Sequence, residues 1–408
     1  LNHKTLIQNF SYLSALQIFN MMLPLVTYPY LIRVLGKETY GLVVFAQAIV
    51  AYLTILVSFG FNVSATREIS IHRDNPEKLS EIVSSVLIVK SLLLAIAVVL
   101  LGALLFILPQ ANGYKALFIV SLWACLYDVL FPVWYFQGIE QMKYITYLTL
   151  ISRVIFLGLI FVWIRTSADY LYVPIISGIG AVISGLVALY LIFIKHRIPF
   201  RWQPVGTLTY YLKDSLPIFI SNVSVNLYVS TNKVLTGAFL GMSEVAYYDL
   251  AEKLTTVLRM PQSILSQSLF PKVSKEKNVG FVKGIFKLSM AMNVLLFVAM
   301  VLLSKVAITL LGGSQMLPAQ TVVIILAATV PVVAMSNIFG MQLLIPFGYN
   351  KLFSRVIVSS GLFYLLQLLV LWATIGFSIN GISLVTLITE LFVTAYMFYH
   401  CKKQHLWV

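Results

Sequence analysis

Long unbroken apolar runs alternate along the chain with short polar breaks, and apolar positions do not alternate singly with polar ones. Continuous runs of this kind select helices over strands, and about 20 such residues carry a helix across the hydrocarbon of a bilayer. The runs predict twelve crossings, at 9–35, 41–63, 81–108, 114–138, 143–165, 171–195, 209–239, 243–270, 283–311, 317–345, 352–375 and 380–401. Backbone groups in lipid must be hydrogen-bonded within their own segment, so the predicted fold class is an all-α polytopic membrane protein.

The stretch from Pro29 to Ser70 sets the plan: an apolar run carrying Arg33, a polar turn at Gly36–Glu38, a second apolar run, and a basic exit at Arg67. About 205 residues later the pattern returns. Leu240-Gly241 falls where Leu35-Gly36 falls, Val245-Ala246-Tyr247-Tyr248 answers Tyr40-Gly41-Leu42, and Lys233 takes the place of Arg33 as a buried cation. Six crossings per copy make the two copies parallel. The expected organisation is an N-terminal lobe at 1–200 and a C-terminal lobe at 201–408, joined by the loop at 196–208, with a central cleft that permits rocking. Prolines inside runs, Pro24 and Pro29 in the first and Pro217 in the seventh, predict bends at matching positions.

Composition narrows the class. The chain is 60% hydrophobic and 10% charged, against about a quarter charged in soluble domains. Of the loop cations, Arg67, Arg73, Lys78, Lys143, Lys195, Arg197, Arg201, Lys272, Lys275, Lys351 and Lys402 fall on one side, with Lys37, Lys115 and Arg165 on the other. The basic side is the cytoplasmic one, which puts both termini in the cytoplasm. That bias accounts for the net charge of +14 and leaves no basic domain for nucleic acid. The start of the chain lacks a cleavage pattern and reads as a retained helix. Cys125 and Cys401 read as core residues, and no His spacing suits a metal. No phosphate-binding P-loop, Ser/His/Asp set or long outer loop offers an enzyme site, and no cofactor is expected.

Ionisable groups inside a span are costly and face protein or water. The spans hold Arg33, Lys90, Asp128, Arg153, Lys233, Asp249, Glu252, Lys253, Arg259, Lys305 and Glu390. Arg33 and Lys305 lie near outer ends, within snorkelling reach of headgroups. In the eighth span Asp249, Glu252, Lys253, Thr256 and Arg259 recur at three- and four-residue steps and share one face. That stripe reads either as a structural ion-pair ladder or as a cleft wall that binds an anionic headgroup and moves protons. Arg153 and Lys233 have no acid one turn away and call for an anion from another helix or from a ligand; a phosphate suits the guanidinium fork. Asp128 is available to Arg153 or to Lys90. Glu390 reads as a protonatable relay, a neutral group, or the partner of an unplaced cation.

Three motifs carry a resemblance. PYLIRVLGKETYG from Pro29, VSFGFNVSATREIS from Val57 and WYFQGIEQMKYIT from Trp134 resemble the polysaccharide transporter family of bacterial O-antigen and capsule flippases. That family belongs to the multidrug/oligosaccharidyl-lipid/polysaccharide export superfamily, and the resemblance covers essentially the whole chain. It implies a MATE-like fold in the bacterial cytoplasmic (inner) membrane. It implies an undecaprenyl-pyrophosphate-linked oligosaccharide as substrate, moved from inner to outer leaflet, and coupling to an H+ or Na+ gradient. Membrane lipid and assembly proteins such as a polymerase are the implied partners. It also implies a cationic cavity, matched here to Arg33, Arg153, Lys233, Lys253 and Arg259, with Asp128, Asp249, Glu252 and Glu390 as candidates for ion coupling. Two departures weaken coupling at specific positions: relatives often carry an acid at Ser58 and an Asp at Asn232. The alternative is a MATE-like drug/cation antiporter, which calls for a cleft richer in acids than in cations.

Overall fold

The computed structural model describes residues 3–407, with side chains described apart from 3–11, 13–15, 18, 21, 224–225 and 227–229. The described residues contain helices and no strand. In order they are α1 (His3–Ser58), α2 (Phe61–Ile71), α3 (Pro76–Ile107), α4 (Lys115–Ser121), α5 (Trp123–Leu130), α6 (Val133–Gly138), α7 (Met142–Trp163), α8 (Tyr172–Tyr190), α9 (Val205–Phe239), α10 (Met242–Glu276), α11 (Val279–Gly312), α12 (Gln320–Asn337), α13 (Asn350–Thr374) and α14 (Ile379–Lys403).

Nine helical stretches among the described residues are long and apolar enough to cross a membrane. One of them, Met22–Ile71, is 50 residues long, whereas a crossing takes about 20, so it accommodates two. Two more helices, α9 and α10, have 35 residues each but carry too many polar groups to register as apolar. Nine stretches, one of them counted twice, plus these two are consistent with twelve crossings. The fourth crossing is assembled from α4, α5 and α6, with Pro132 standing at the N-cap of α6.

The predicted turn at Gly36 is present as a break inside α1. Gly36 has φ 77 and ψ 163, and Gly241, at the head of α10, has φ 116 and ψ 168. This backbone region is open essentially to glycine alone. The two copies of the repeat therefore share a backbone device as well as a sequence pattern.

The exposed face of α11 shows why the helices need lipid. Leu288, Leu295, Leu302, Val306 and Leu310 are all exposed, and their spacing places them on one stripe. In water a contiguous apolar stripe of this length is a liability; in hydrocarbon it is the solvated surface.

The helices pack into two compact units. Unit 1 comprises residues up to Thr39 and Phe45–Val223; unit 2 comprises Tyr40–Val44 and Ser224 onward. In unit 1, Val57, Phe61, Ile69, Ile82, Trp134 and Phe136 belong to one buried cluster. The first half of α9 is fastened into this unit. Arg67 binds Asp214 at 2.8 Å, the Ser64 and Ser215 hydroxyls meet at 2.6 Å, and Phe59 stacks on Phe219 at 4.4 Å. In unit 2, Val273, Val282, Ile338, Phe339, Leu343, Val356 and Met397 form the larger of two described clusters. Here the five residues Tyr40–Val44 pack against the start of α10 so closely that a Cβ on Gly41 would lie 1.8 Å from the Met242 carbonyl oxygen.

Candidate functional site

In unit 2 the polar stripe of α10 faces α9. Lys233 Nζ lies 2.9 Å from Asp249 Oδ1 and also pairs with Glu252. Asp249 in turn pairs with Lys253, as the four-residue spacing predicts. Tyr40 donates its phenol hydrogen to Asp249 Oδ2 at 2.7 Å, and Lys253 donates to the Tyr40 oxygen at 3.1 Å. Of the two sources of an anion open to Lys233, another helix or a ligand, the structure supplies the first. Its partners come from the neighbouring helix, which one-helix spacing cannot reveal. Asp249 is buried, while Glu252 keeps about a third of its side chain exposed.

One turn further along α10 a cavity of about 160 Å³ opens, lined by Asn232, Glu252, Thr256, Arg259, Thr386 and Glu390 among others. Arg259 donates to Thr329 at 2.6 Å and lies 3.8 Å from Glu390, so Glu390 has the cation that sequence left unplaced. Lys233, Lys253 and Arg259 are thus matched by Asp249, Glu252 and Glu390, three against three. The expected excess of positive charge does not exist at this place. Asn232 organises the wall: its amide donates to Tyr248 at 2.7 Å and Thr386 at 2.8 Å, and its carbonyl accepts from Tyr364 at 2.6 Å. Both amide hydrogens and the carbonyl oxygen are thus hydrogen-bonded, as burial requires.

Unit 1 is arranged differently. Lys90, buried, lies 2.7 Å from Asp128 Oδ2 and donates a directed hydrogen bond to the Asp128 carbonyl at 2.6 Å. Of the two partners open to Asp128, the structure selects Lys90. Arg153 makes no ion pair or hydrogen bond among the described residues; its electrostatic neighbour Tyr127 is a phenol, neutral at ordinary pH. Arg153 lines a cavity of about 350 Å³ together with Gln47, Thr54, Ser121, Trp123 and Ser177. Thr54 and Ser121 donate to carbonyls of their own helices, whereas no hydrogen bond occupies Gln47 or Ser177 among the described residues. Arg33 is exposed in the structure, which corrects its reading as a buried cation and accords with its place one turn before the chain breaks at Gly36.

Sequence reasoning missed Tyr40, Tyr248, Tyr364 and Trp123, because an aromatic in an apolar run looks like packing. The signal for Tyr40 was its place in the repeat, and for Asn232 its place beside Lys233. Among the described residues no cluster of His, Cys, Asp or Glu is arranged to hold a metal ion.

Fold and site together define a multi-pass helical membrane protein that keeps charged side chains, and two cavities with polar groups on their walls, within its spans. The sequence profile of the family described as "Polysaccharide biosynthesis protein" matches residues 6–277, and the chain belongs to that family. Two curated proteins named "Putative O-antigen transporter" are similar to it. One, from Escherichia coli (strain K12), is 27% identical with 100% of this chain and 99% of the relative covered; the other, from Shigella dysenteriae, is 27% identical over 93% and 95%. Among solved structures, the lipid II flippase MurJ in an inward closed conformation matches with TM-score 0.77 at 14% identity, covering 95% of this chain and 87% of MurJ. An inward-facing multidrug resistance MATE family transporter of the MOP superfamily matches with TM-score 0.75 at 14% identity, covering 94% of each. At such identities the likeness is one of fold, and it bears out the MATE-like architecture expected from the sequence.

Proposed function

We propose that the protein is a flippase for a lipid-linked oligosaccharide, an undecaprenyl-pyrophosphate-linked repeat unit carried from the inner to the outer leaflet of the bacterial cytoplasmic membrane. The names of the curated relatives and the family membership support a polysaccharide substrate. The observation that carries the reading is Arg153. It is a cation within a crossing, matched by no carboxylate among the described residues, on the wall of a cavity of about 350 Å³ that also presents an amide and a hydroxyl. Arg153 is exposed rather than packed away; a cation within a crossing is costly unless it faces water or an anion, and a phosphate oxygen pair meets its fork of donors. Gln47 and Ser177 then serve the adjoining sugar, and Trp123 supplies an apolar face beside it. The exposed Arg33 adds a second positive group in the same unit.

Lys233, Lys253 and Arg259 enter the cycle through their partners. While Asp249, Glu252 and Glu390 are ionised, the three cations are neutralised by the protein. Protonating a carboxylate releases its cation for the substrate's phosphates, and deprotonation withdraws it. This gives an H+ gradient a route to alternating access, with Glu252 and Glu390, on the cavity wall, as the groups to be protonated; Asp128, held by Lys90, is tied to structure instead. The basic loops and both termini lie in the cytoplasm in this reading.

A second reading, a drug/cation antiporter, draws support from the charged cluster of unit 2, where Asp249, Glu252 and Glu390 balance Lys233, Lys253 and Arg259. Reconstitution decides between them. In vesicles holding the purified protein, the flippase reading expects gradient-dependent transfer of a defined pyrophosphate-linked oligosaccharide between leaflets and no exchange of organic cations. Cation exchange without lipid transfer overturns it.

A further inference from the structure

The segment 196–204, HRIPFRWQP, is fastened along one helix. Ser80 of α3 donates its hydroxyl to the Pro199 carbonyl, and the Arg201 N–H donates to Ser84 Oγ at 2.9 Å. Both serines are buried. Two residues of extended chain and one helical turn each advance about 6 Å, so the two bonds hold the segment as a strap parallel to α3. On either side of the second bond, Phe200 and Trp202 stand over the helix, their rings 5.6 Å apart in a T-shape. Between the rings and α3 lies a groove of about 250 Å³ lined by Leu87, Ile88, Ser91, Leu92, Phe200 and Trp202.

Three features identify an occupant. The groove is apolar, yet Trp202 is 82% exposed at its rim, and tryptophan favours the boundary between headgroups and hydrocarbon. The groove opens onto an exposed apolar stripe of the same helix, Leu92, Ile96 and Val99, which continues into the membrane-spanning part. The strap carries two arginines and no carboxylate; Arg197 and Arg201 are exposed, and among the described residues their guanidinium groups make no ion pair. Nearby acids are committed elsewhere, Glu81 to Lys78 and Tyr211 and Asp214 to Arg67. An apolar slot, a second apolar track beside it and unoccupied guanidiniums at one end match a molecule with two hydrocarbon chains and an anionic head.

We propose that the strap and α3 form a binding site for an anionic glycerophospholipid of the leaflet that faces the basic loops. One acyl chain fills the groove under Phe200 and Trp202, the other follows Leu92, Ile96 and Val99, and the phosphodiester is met by Arg197 and Arg201. The site is independent of what the protein transports. It sits on the connection between the sixth and seventh crossings, so its occupancy bears on the mobility of that connection.

Native mass spectrometry of the purified full chain in detergent tests this, with dioleoyl phosphatidylglycerol and dioleoyl phosphatidylcholine as probes. Phosphatidylglycerol is expected to be retained at one saturable site in preference to phosphatidylcholine. The double variant R197Q/R201Q is expected to weaken phosphatidylglycerol roughly twentyfold, and phosphatidylcholine, whose phosphodiester is offset by its own choline cation, by much less, so that the preference is lost. Trp202→Ala, an exposed change that spares folding, is expected to weaken both lipids. Equal retention of the two lipids by the wild type overturns the proposal, as does an undiminished preference in R197Q/R201Q. Displacement of phosphatidylglycerol by an equimolar single-chain polyprenyl phosphate reassigns the groove to a prenyl tail and overturns it as well.

Discussion

Asp128 gives its carboxylate to Lys90, 2.7 Å away, and thereby leaves Arg153 without it. Lys90 is buried and needs an anion wherever it sits, so this pairing is the structural demand that is met first. Replacing one member strands the other as a buried charge, at a cost of roughly 3–5 kcal/mol. Asp128→Asn is therefore expected to lower the melting temperature of the detergent-purified protein sharply. The double variant K90M/D128N should lose less than the sum of the single variants, because it removes both charges. Additive losses would show that the two groups do not act as a pair.

The repeated glycines separate two kinds of constraint. A Cβ on Gly36 meets nothing within 4 Å, while its φ is +77; Gly41 has an ordinary backbone, while its Cβ would lie 1.8 Å from the Met242 carbonyl. Gly36→Ala carries only the conformational cost, about 1–3 kcal/mol. Gly41→Ala instead forces backbone apart and should be the more damaging change. The check is folded yield and melting temperature of both variants; a milder effect at Gly41 would contradict the close approach of Tyr40–Val44 to α10.

In unit 2 the role of the carboxylates is separable from their contribution to stability. Glu252→Gln and Glu390→Gln each remove a negative charge next to a cation that retains other contacts, Asp249 for Lys233 and Thr329 for Arg259. Both variants are expected to fold. Their transfer of lipid-linked oligosaccharide is expected to lose its response to an imposed pH gradient, and to fall at least several-fold. Transport that responds to the gradient as in the wild type would assign these carboxylates to a structural ladder.

Much of this was legible in the sequence, for identifiable reasons. Apolar run length gives the crossings, because bilayer thickness fixes how long a helix must be. The break at Gly36 was legible because a polar turn interrupts an apolar run, and its twin at Gly241 because the chain repeats. The stripe on α10 was legible because 3.6-residue periodicity lies within one segment, and so was the Asp249–Lys233 region as a place of charge. What could not be read was which charges meet across helices. Lys233 looks solitary along α9 and finds two acids on α10, Glu390 finds Arg259, and Arg153 loses Asp128 to Lys90. Such choices depend on helix rotation and depth, which packing sets. Tyr40 and Asn232 were hidden for the same reason: their roles lie in hydrogen bonds to residues far along the chain, Asp249 and Tyr364.

The most direct measurement of the central claim is leaflet transfer of a pyrophosphate-linked oligosaccharide by reconstituted protein in which Arg153 is replaced by Lys, Gln or Ala. Gln and Ala are expected to reduce transfer by tenfold or more, the loss of a charge-assisted pair of about 1.5–3 kcal/mol, with folding intact. Lys is expected to restore part of it, since the charge returns without the planar fork. Wild-type transfer rates in Arg153→Ala would contradict the assignment of this cavity to the substrate's phosphates.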